Sequence, residues 1–376
     1  MMLAENDMTG VDWRGLLERP AALGQPITCG ALHKDECVLI TGAGGSIGSV
    51  LAVRLAELQP ALLLLLDISE QNLYEIDTRL QKLWPRVPCV AIAGSIEDES
   101  LLNEVCACYH PQTVYHTAAY KHVPLMEANP LAVVRNNTLG TYRLVQAALR
   151  HSVEHLLMVS TDKAVRPSSM MGASKRMAEL ALLASSGGTR INSVRLGNVL
   201  GSKGSVVQVF LEQIARGENV TVTHPDAHRF FFTMEETVSL ILKAGSDVGD
   251  RRVFIPEIEH PTRIVDLATY LIGKAGKSAE SLRLVFTGLR PGEKLVEEFI
   301  GPGEHIVHAG PHLHAVFSPA PDEEHLRGAM LNLDAAVRTR NLPDILRTIQ
   351  RLVPEYCPSP SLDRNCASSL AGSLHD

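Results

Sequence analysis

The feature that most constrains this chain is a glycine-rich turn set between two kinds of periodicity. Val38 to Thr41 form a short β-branched run, Gly42, Gly45 and Gly48 follow at once in "VLITGAGGSIG", and a stretch at helical period continues from Ser49 to Leu58. A strand that turns this sharply into a helix opens a βαβ unit, because glycine tolerates the turn and lets a pyrophosphate approach backbone N–H groups at the helix N-terminus. Three glycines alone are a weak signal. Here the strand, the helix and an acid at the usual remove of about 20 residues occur together, and they predict a dinucleotide site. Gly42, Gly45, Ser46, Ile47 and Gly48 are its expected contacts.

The acid is Asp67, at the end of the second apolar run. There a carboxylate accepts hydrogen bonds from ribose hydroxyls and repels a 2'-phosphate, so NAD is predicted over NADP. Asp67 could equally be the N-cap of a helix beginning near Glu70, which would suit either cofactor. After the third strand, "AGSIED" offers Ser95 and Ile96 where an adenine-contacting acid is expected, so Ser95 or a neighbouring acid such as Asp98 has to serve.

From Cys37 onward, short apolar runs alternate with amphipathic stretches, the pattern of right-handed βαβ crossovers. The expected strands are Val38 to Thr41, Leu62 to Leu66, Val90 to Ala93, Thr113 to His116, His155 to Ser160 and Asn192 to Arg195. The expected fold is α/β, a Rossmann-type doubly wound parallel sheet with a smaller C-terminal substrate-binding lobe. Residues 1–35 read as an N-terminal arm with one helix candidate, Trp13 to Glu18, and residues 36–195 as the dinucleotide domain. Residues 196–330 read mainly as the lobe, with some segments returning to the sheet, and residues 331–376 as a helix followed by a poorly ordered Pro- and Ser-rich tail.

Composition excludes several classes. With 45% hydrophobic residues the chain buries a substantial core, and a net charge of -7 gives no basic field for nucleic acid. The seven cysteines are an odd set in a chain too large to need staples, which predicts a reducing, cytoplasmic setting. The longest apolar run, Ala61 to Leu66, is far short of the ~20 residues of a membrane span, and the acidic N-terminus does not read as a signal peptide. His305, His308, His312 and His314 have spacings that could ligate a metal. The stretch carries Gly and Pro and no nearby acid, so no metal site is expected.

Two further segments carry chemistry. "STDKAV" places Ser160, Thr161, Asp162 and Lys163 at the end of the fifth strand, and "MGASK" puts Met171 four residues before Lys175, on one helix face. These, with "HTAAYKHVPLMEANP", "NNTLGT", "RLGNVLGSKGSV", "RFFFTMEE" and "GLRPGEKLVEE", resemble the bacterial polysaccharide-biosynthesis UDP-N-acetylglucosamine 4,6-dehydratases of the extended short-chain dehydrogenase superfamily. The resemblance runs from about Cys37 to Ile300. It covers the part of larger relatives that follows their membrane-spanning helices, so their membrane attachment is not carried over.

Short-chain dehydrogenases carry Tyr-x-x-x-Lys, and here Met171 stands in the tyrosine place and Lys175 in the lysine place. The resemblance, through Met171 and the string Tyr120 to Val123, implies the branch that retains configuration at C5. It implies oxidation at C4 of the sugar, removal of the C5 proton by Lys163, protonation of the departing C6 hydroxyl by Asp162, and hydride return to C6. Asp162 must then hold a proton, favoured by burial, and Lys163 must lose one, favoured by burial and by Lys175 nearby. Thr161 is expected to hydrogen-bond the 4-hydroxyl. A thioether accepts no proton, so a water, Asp162 or Lys175 takes the C4 hydroxyl proton while Met171 lines the sugar site.

The resemblance also implies that His116, Ala118 and Asn137, or Asn136 one place earlier, flank the nicotinamide ribose together with Lys175. Lys121, His122, Arg195, Asn198, Arg229, Arg290 and Glu293 are expected around the UDP-sugar, where guanidinium forks pair diphosphate oxygens; any of the arginines could instead form an ion pair. The expected partner is UDP-N-acetylglucosamine or a close UDP-N-acetylhexosamine, and a homo-oligomer is expected. Competing readings are a nucleotide-sugar epimerase on the same fold, disfavoured by Met171, and an NAD-binding sensor without chemistry, disfavoured by retention of Asp162, Lys163 and Lys175.

Overall fold

The structure, a computed structural model, describes residues 13–17, 33–257, 260–277, 282–310, 312–360 and 362. Nine strands form one sheet: β1 (Cys37–Thr41), β2 (Leu62–Asp67), β3 (Cys89–Ala93), β4 (Thr113–His116), β5 (His155–Thr161), β6 (Arg190–Leu196), β7 (Val253–Pro256), β8 (His305–Gly310) and β9 (Leu313–Phe317). Their spatial order is β8-β9-β7-β6-β5-β4-β1-β2-β3. Pairings from β3 across to β7 are parallel, whereas β9 runs antiparallel to both β7 and β8. The order reverses between β1 and β4, which opens a crevice at the strands' C-terminal ends.

The continuous apolar runs follow from burial on both faces. Val38, Ile40, Leu63 and Leu65 pack on one side with Leu51 and Leu55 of α1 (Ser46–Glu57) and Leu73 and Ile76 of α2 (Glu70–Leu83). Leu39, Leu64 and Leu66 alternate to the other side, against Leu102 and Val105 of α3 (Glu99–Tyr109) and Leu144 of α4 (Thr141–Arg150). Each such leucine contributes about 2 kcal/mol on burial.

Helix α5 (Met170–Ala184) is enclosed on all sides, capped by Ser169 Oγ, which accepts from Gly172 N–H. It lies between the sheet and a third layer formed by α6 (Glu323–Arg338) and α7 (Leu342–Leu352), whose Leu326, Met330, Ile345 and Ile349 join Met170, Met177 and Leu180. Strands β7 to β9 carry the sheet beyond residue 195, so the lobe consists of the excursions between β6 and β7 and between β7 and β8.

The short helix Trp13–Leu16 packs with its neighbour Leu17 against Val207, Phe210 and Leu267 of that lobe. The Pro- and Ser-rich tail expected to be poorly ordered begins at Cys357, and its start is packed: Cys357 N–H donates to Pro167 O at 3.3 Å, and Ser359 and Leu362 are buried. From residue 363 on it lies outside the described residues, as does most of the N-terminal arm. No helix among the described residues is long and apolar enough to cross a membrane.

Candidate active site

A cavity of about 500 Å³ occupies the crevice at the C-terminal ends of β1, β4, β5 and β6. Gly45, Ser46, Ile47 and Gly48 form one wall, where the first N–H groups of α1 have no carbonyl of their own helix to bind. This turn depends on Gly48: a Cβ there would fall 2.1 Å from the Gly42 carbonyl oxygen and 2.9 Å from Thr117 Oγ1. The free N–H groups, the two glycines and the helix dipole fit a pyrophosphate.

Asp67 stands directly behind this turn. Its Oδ2 accepts from Gly44 N–H at 2.9 Å and its Oδ1 from Ser69 N–H at 2.8 Å, so the carboxylate shapes the loop. The N-cap of the following helix is Ser69, not Asp67. Asp98 caps the next helix through Leu101 N–H, Ser95 Oγ accepts from Glu97 N–H, and Ile96 packs beneath Gly140; none of the three lines the cavity.

His116 corrects its expected role. It is fully buried, with Nδ1 2.7 Å from Thr41 Oγ1 and Nε2 2.8 Å from Thr141 Oγ1, and it braces β4 against β1 and α4 rather than facing the cavity. Burial, with a smaller contribution from Lys175, pushes its imidazole down to about 3. Asn137 also acts behind the wall. Its side-chain oxygen accepts from Tyr120 N–H at 2.8 Å, its Nδ2 donates to Tyr120 O and to Ser174 Oγ, and Asn136 Nδ2 donates to it in turn. It thereby fixes the loop that brings Lys121 and His122 to the cavity. Burial lowers the proton affinity of both these groups. Ala118 backbone packs against Gly42, whose φ of +71° only glycine adopts easily.

The opposite wall holds Thr161, Lys163, Met171 and Lys175. Met171 and Lys175 are a turn apart on α5 and nearly buried. Burial pushes the Lys175 amine down to about 8 against the opposing charge of Glu179, and among the described residues its Nζ has no hydrogen-bond or ion-pair partner.

Asp162 lies behind Thr161 and Lys163 with no exposed surface. Its Oδ1 accepts from Thr161 Oγ1 and Lys163 Nζ, both at 2.9 Å, while Oδ2 is buried with no hydrogen-bond partner among the described residues. Burial raises its proton affinity against the pull of Lys163, and Glu297 raises it further.

Lys163 corrects an expectation. Burial lowers its proton affinity, but Asp162 and Glu297 outweigh that and hold the amine above its usual range; Nζ also donates to Asn198 Oδ1 at 3.0 Å. Lys175 is not among the principal groups that act on it, and of the two lysines on this wall Lys175 is the one pushed down.

The arginines expected around a diphosphate are elsewhere. Arg195 has no exposure and is clamped between Glu179 and Glu304, with Nη2 at 2.7 Å from Glu179 Oε2 and Nη1 at 2.6 Å from Glu304 Oε2. Arg229 pairs with Glu293 Oε1 at 2.7 Å, Glu293 Oε2 accepts from Arg290 N–H, and Arg290 is exposed. None of the four lines the cavity, whereas Asn198, beyond the end of β6, does.

The cations on the wall are instead Lys121, Lys163, Lys175 and Lys203. Lys203 was not anticipated: its N–H donates to Ser46 Oγ at 3.1 Å and its Nζ to Asn72 Oδ1 at 3.0 Å, tying the loop after β6 to the glycine-rich turn. Next to it, Ser205 Oγ is buried with no hydrogen-bond partner among the described residues. The available signal for both was the string "GSKGS", a lysine and serines between glycines within a quoted motif.

The sequence profile of the family described as "Polysaccharide biosynthesis protein" matches residues 38–315, most of the chain and all of this cavity. The chain belongs to that family. It is 40% identical over 307 residues to the capsular polysaccharide biosynthesis protein CapD of Staphylococcus aureus, a match covering 80% of this chain and 51% of CapD. The chain thus spans about half the length of that relative. Among solved structures, Pen from Bacillus thuringiensis superposes with a TM-score of 0.68 at 25% identity, over 80% of this chain and 98% of Pen. The DesIV double mutant, a dTDP-glucose 4,6-dehydratase from Streptomyces venezuelae with NAD and DAU bound, shares the fold. Its TM-score is 0.61 at 21% identity, over 70% of this chain and 88% of DesIV. In this polysaccharide biosynthesis family member, no group of three or more potential metal ligands converges among the described residues.

Proposed function

We propose that this chain is an NAD-dependent UDP-N-acetylhexosamine 4,6-dehydratase that retains configuration at C5, acting on UDP-N-acetylglucosamine or a close relative in surface-glycan synthesis. The observation that carries the reading is one cavity lined by both the glycine-rich helix N-terminus and the Thr161–Lys163 segment facing Met171 and Lys175. The S. venezuelae 4,6-dehydratase of the same fold has NAD bound, which supports the same cofactor here. When bound, NAD supplies the oxidation at C4 of the sugar and the reduction at C6 that restores the cofactor.

The protein's own groups manage the protons. Thr161 hydrogen-bonds the 4-hydroxyl, and Lys175, the unpartnered amine beside Met171, takes its proton in place of tyrosine. Lys163 and Asp162 are an ion pair 2.9 Å apart. Moving one proton across that contact gives a neutral amine and a neutral carboxyl, the base for C5 and the acid for the C6 hydroxyl, and burial favours this uncharged form. Asp162 reaches the cavity through Thr161 and Lys163, both hydrogen-bonded to its Oδ1. The protons taken from the 4-hydroxyl and C5 equal those given to the departing hydroxyl and back to C5, so the net loss is one water. Lys121 and Lys203, with Ser205, supply donors for the diphosphate.

The test is mass spectrometry of UDP-N-acetylglucosamine incubated with purified protein. Loss of one water is expected, and an unchanged mass refutes the reading. Asp162→Asn and Lys163→Met should abolish the loss by at least about 100-fold while bound dinucleotide is retained.

A further inference from the structure

Glu297 lies outside the cavity wall, in the segment after the loop carrying Arg290, yet its carboxyl is directed at the lysine that lines it. The side chain is 3% exposed. Its Oε1 is 3.8 Å from Lys163 Nζ and its Oε2 is 3.1 Å from Lys294 Nζ. Lys294 in turn donates to Val165 O at 2.7 Å, two residues past Lys163. The segment itself is anchored, because His228 N–H donates to Leu295 O at 2.9 Å and Arg229 Nη1 to the same oxygen at 3.2 Å. A chain of buried contacts therefore runs from Asp162 through Lys163 and Glu297 to Lys294.

Two carboxyl groups share one ammonium in this arrangement, and their surroundings differ. Asp162 is fully enclosed and, among the described residues, has Lys163 as its one ion-pair partner; one oxygen of each carboxyl, Asp162 Oδ2 and Glu297 Oε2, makes no hydrogen bond there. Glu297 is buried too, but Lys163, Lys294 and Arg229 outweigh the burial and hold it ionised. When two carboxyls are this close, the better-compensated one keeps the charge and the other takes the proton.

We propose that Glu297, held by Lys294, is a positioning residue for the acid–base pair: its carboxylate stays ionised and keeps on that pair the one proton that passes between Lys163 and Asp162. The inference rests on the dehydratase reading for its catalytic meaning, though not for its electrostatics. The charged groups that act most on Lys163 are Asp162 on its own turn and Glu297 and Arg229 from the lobe, with Lys175 of α5 on the same wall and Lys294 beyond Glu297; removing one negative charge lowers the proton affinity of both Lys163 and Asp162.

The experiment compares wild type, Glu297→Gln and Glu297→Asp. In Glu297→Gln both limbs of the kcat–pH profile should move to lower pH by about one unit, the size expected of a charge within ~4–6 Å, and Glu297→Asp should return them most of the way. A profile that only drops in height, with unmoved limbs, overturns the proposal and leaves Glu297 a structural prop. Should wild type release no water at all, the dehydratase reading fails separately. The Glu297 inference is then decided by the titration of the Lys163 ε-carbon, observed by NMR with labelled lysine and assigned with Lys163→Arg. A midpoint about tenfold lower in proton affinity in Glu297→Gln supports it, and coincident titrations overturn it.

Discussion

Gly172 and Lys163 approach so closely that a Cβ at Gly172 would lie 2.3 Å from the Lys163 carbonyl oxygen. The first turn of α5 and the turn after β5 are thus seated on one another, and this contact sets the distance between Met171 and Lys175 on one side and Thr161 and Lys163 on the other. Gly172→Ala should force the two apart. Backbone cannot yield as a flexible side chain does, so the expected cost is about 1–3 kcal/mol in urea unfolding. Water-loss activity should fall more steeply than stability, and a variant with both properties unchanged would remove this seat from the account.

Lys175 carries a pH prediction. Its amine is pushed down to about 8, so the neutral form that accepts the 4-hydroxyl proton should appear as kcat rises through that region. Lys175→Arg keeps a cation at the site but cannot lose its proton, and should lower kcat by at least about 100-fold with dinucleotide still bound. Because the folded value lies below that of the unfolded chain, the unfolded state binds more protons between the two. Stability at this site therefore rises with pH from about 8 upward, and Lys175→Met should flatten the rise in melting temperature there.

The buried set Arg176, Glu179, Arg195 and Glu304 predicts a stability effect. Ser160 Oγ donates to Glu179 at 2.6 Å, and the network ties α5 to β5, β6 and the turn before β8. Arg195→Met leaves two buried carboxylates poorly compensated and should cost about 3–5 kcal/mol, read as a lowered melting temperature. Glu179, held down to about 2 by its arginines against burial, contributes stability that is present above the unfolded carboxylate range and lost as pH falls toward that value. The KM for the UDP-sugar should be unchanged where the variant is folded, since Arg195 does not reach the cavity. A large KM change would return it to the substrate.

Isotopes separate dehydration from epimerisation. A deuterium at C4 should appear at C6 of the same product molecule, whereas reaction in heavy water should place one deuterium at C5, where Lys163 exchanges its proton. Proton couplings of fresh product should report the D-xylo configuration. An L-arabino product would overturn the inference from Met171, and solvent deuterium at C6 would overturn internal return of the hydride.

What the sequence determined by itself was local. The glycine-rich turn, the six parallel strands and the spacing of Met171 and Lys175 depend on neighbours within a few residues, where strand and helix periods decide which side chains share a face. The tertiary structure decided which partner each charge meets. A guanidinium suits a carboxylate as well as a diphosphate, and Arg195 is inside β6, paired in register with Ser160, so strand alternation delivers it to Glu179 beneath α5. Asn198, past the strand's end, reaches the cavity instead. His116 was placed in the same way, between Thr41 and Thr141, and Lys163 was drawn into the company of Glu297 by a lobe segment distant in the chain. Such pairings depend on contacts between remote segments, and no spacing within a motif encodes them.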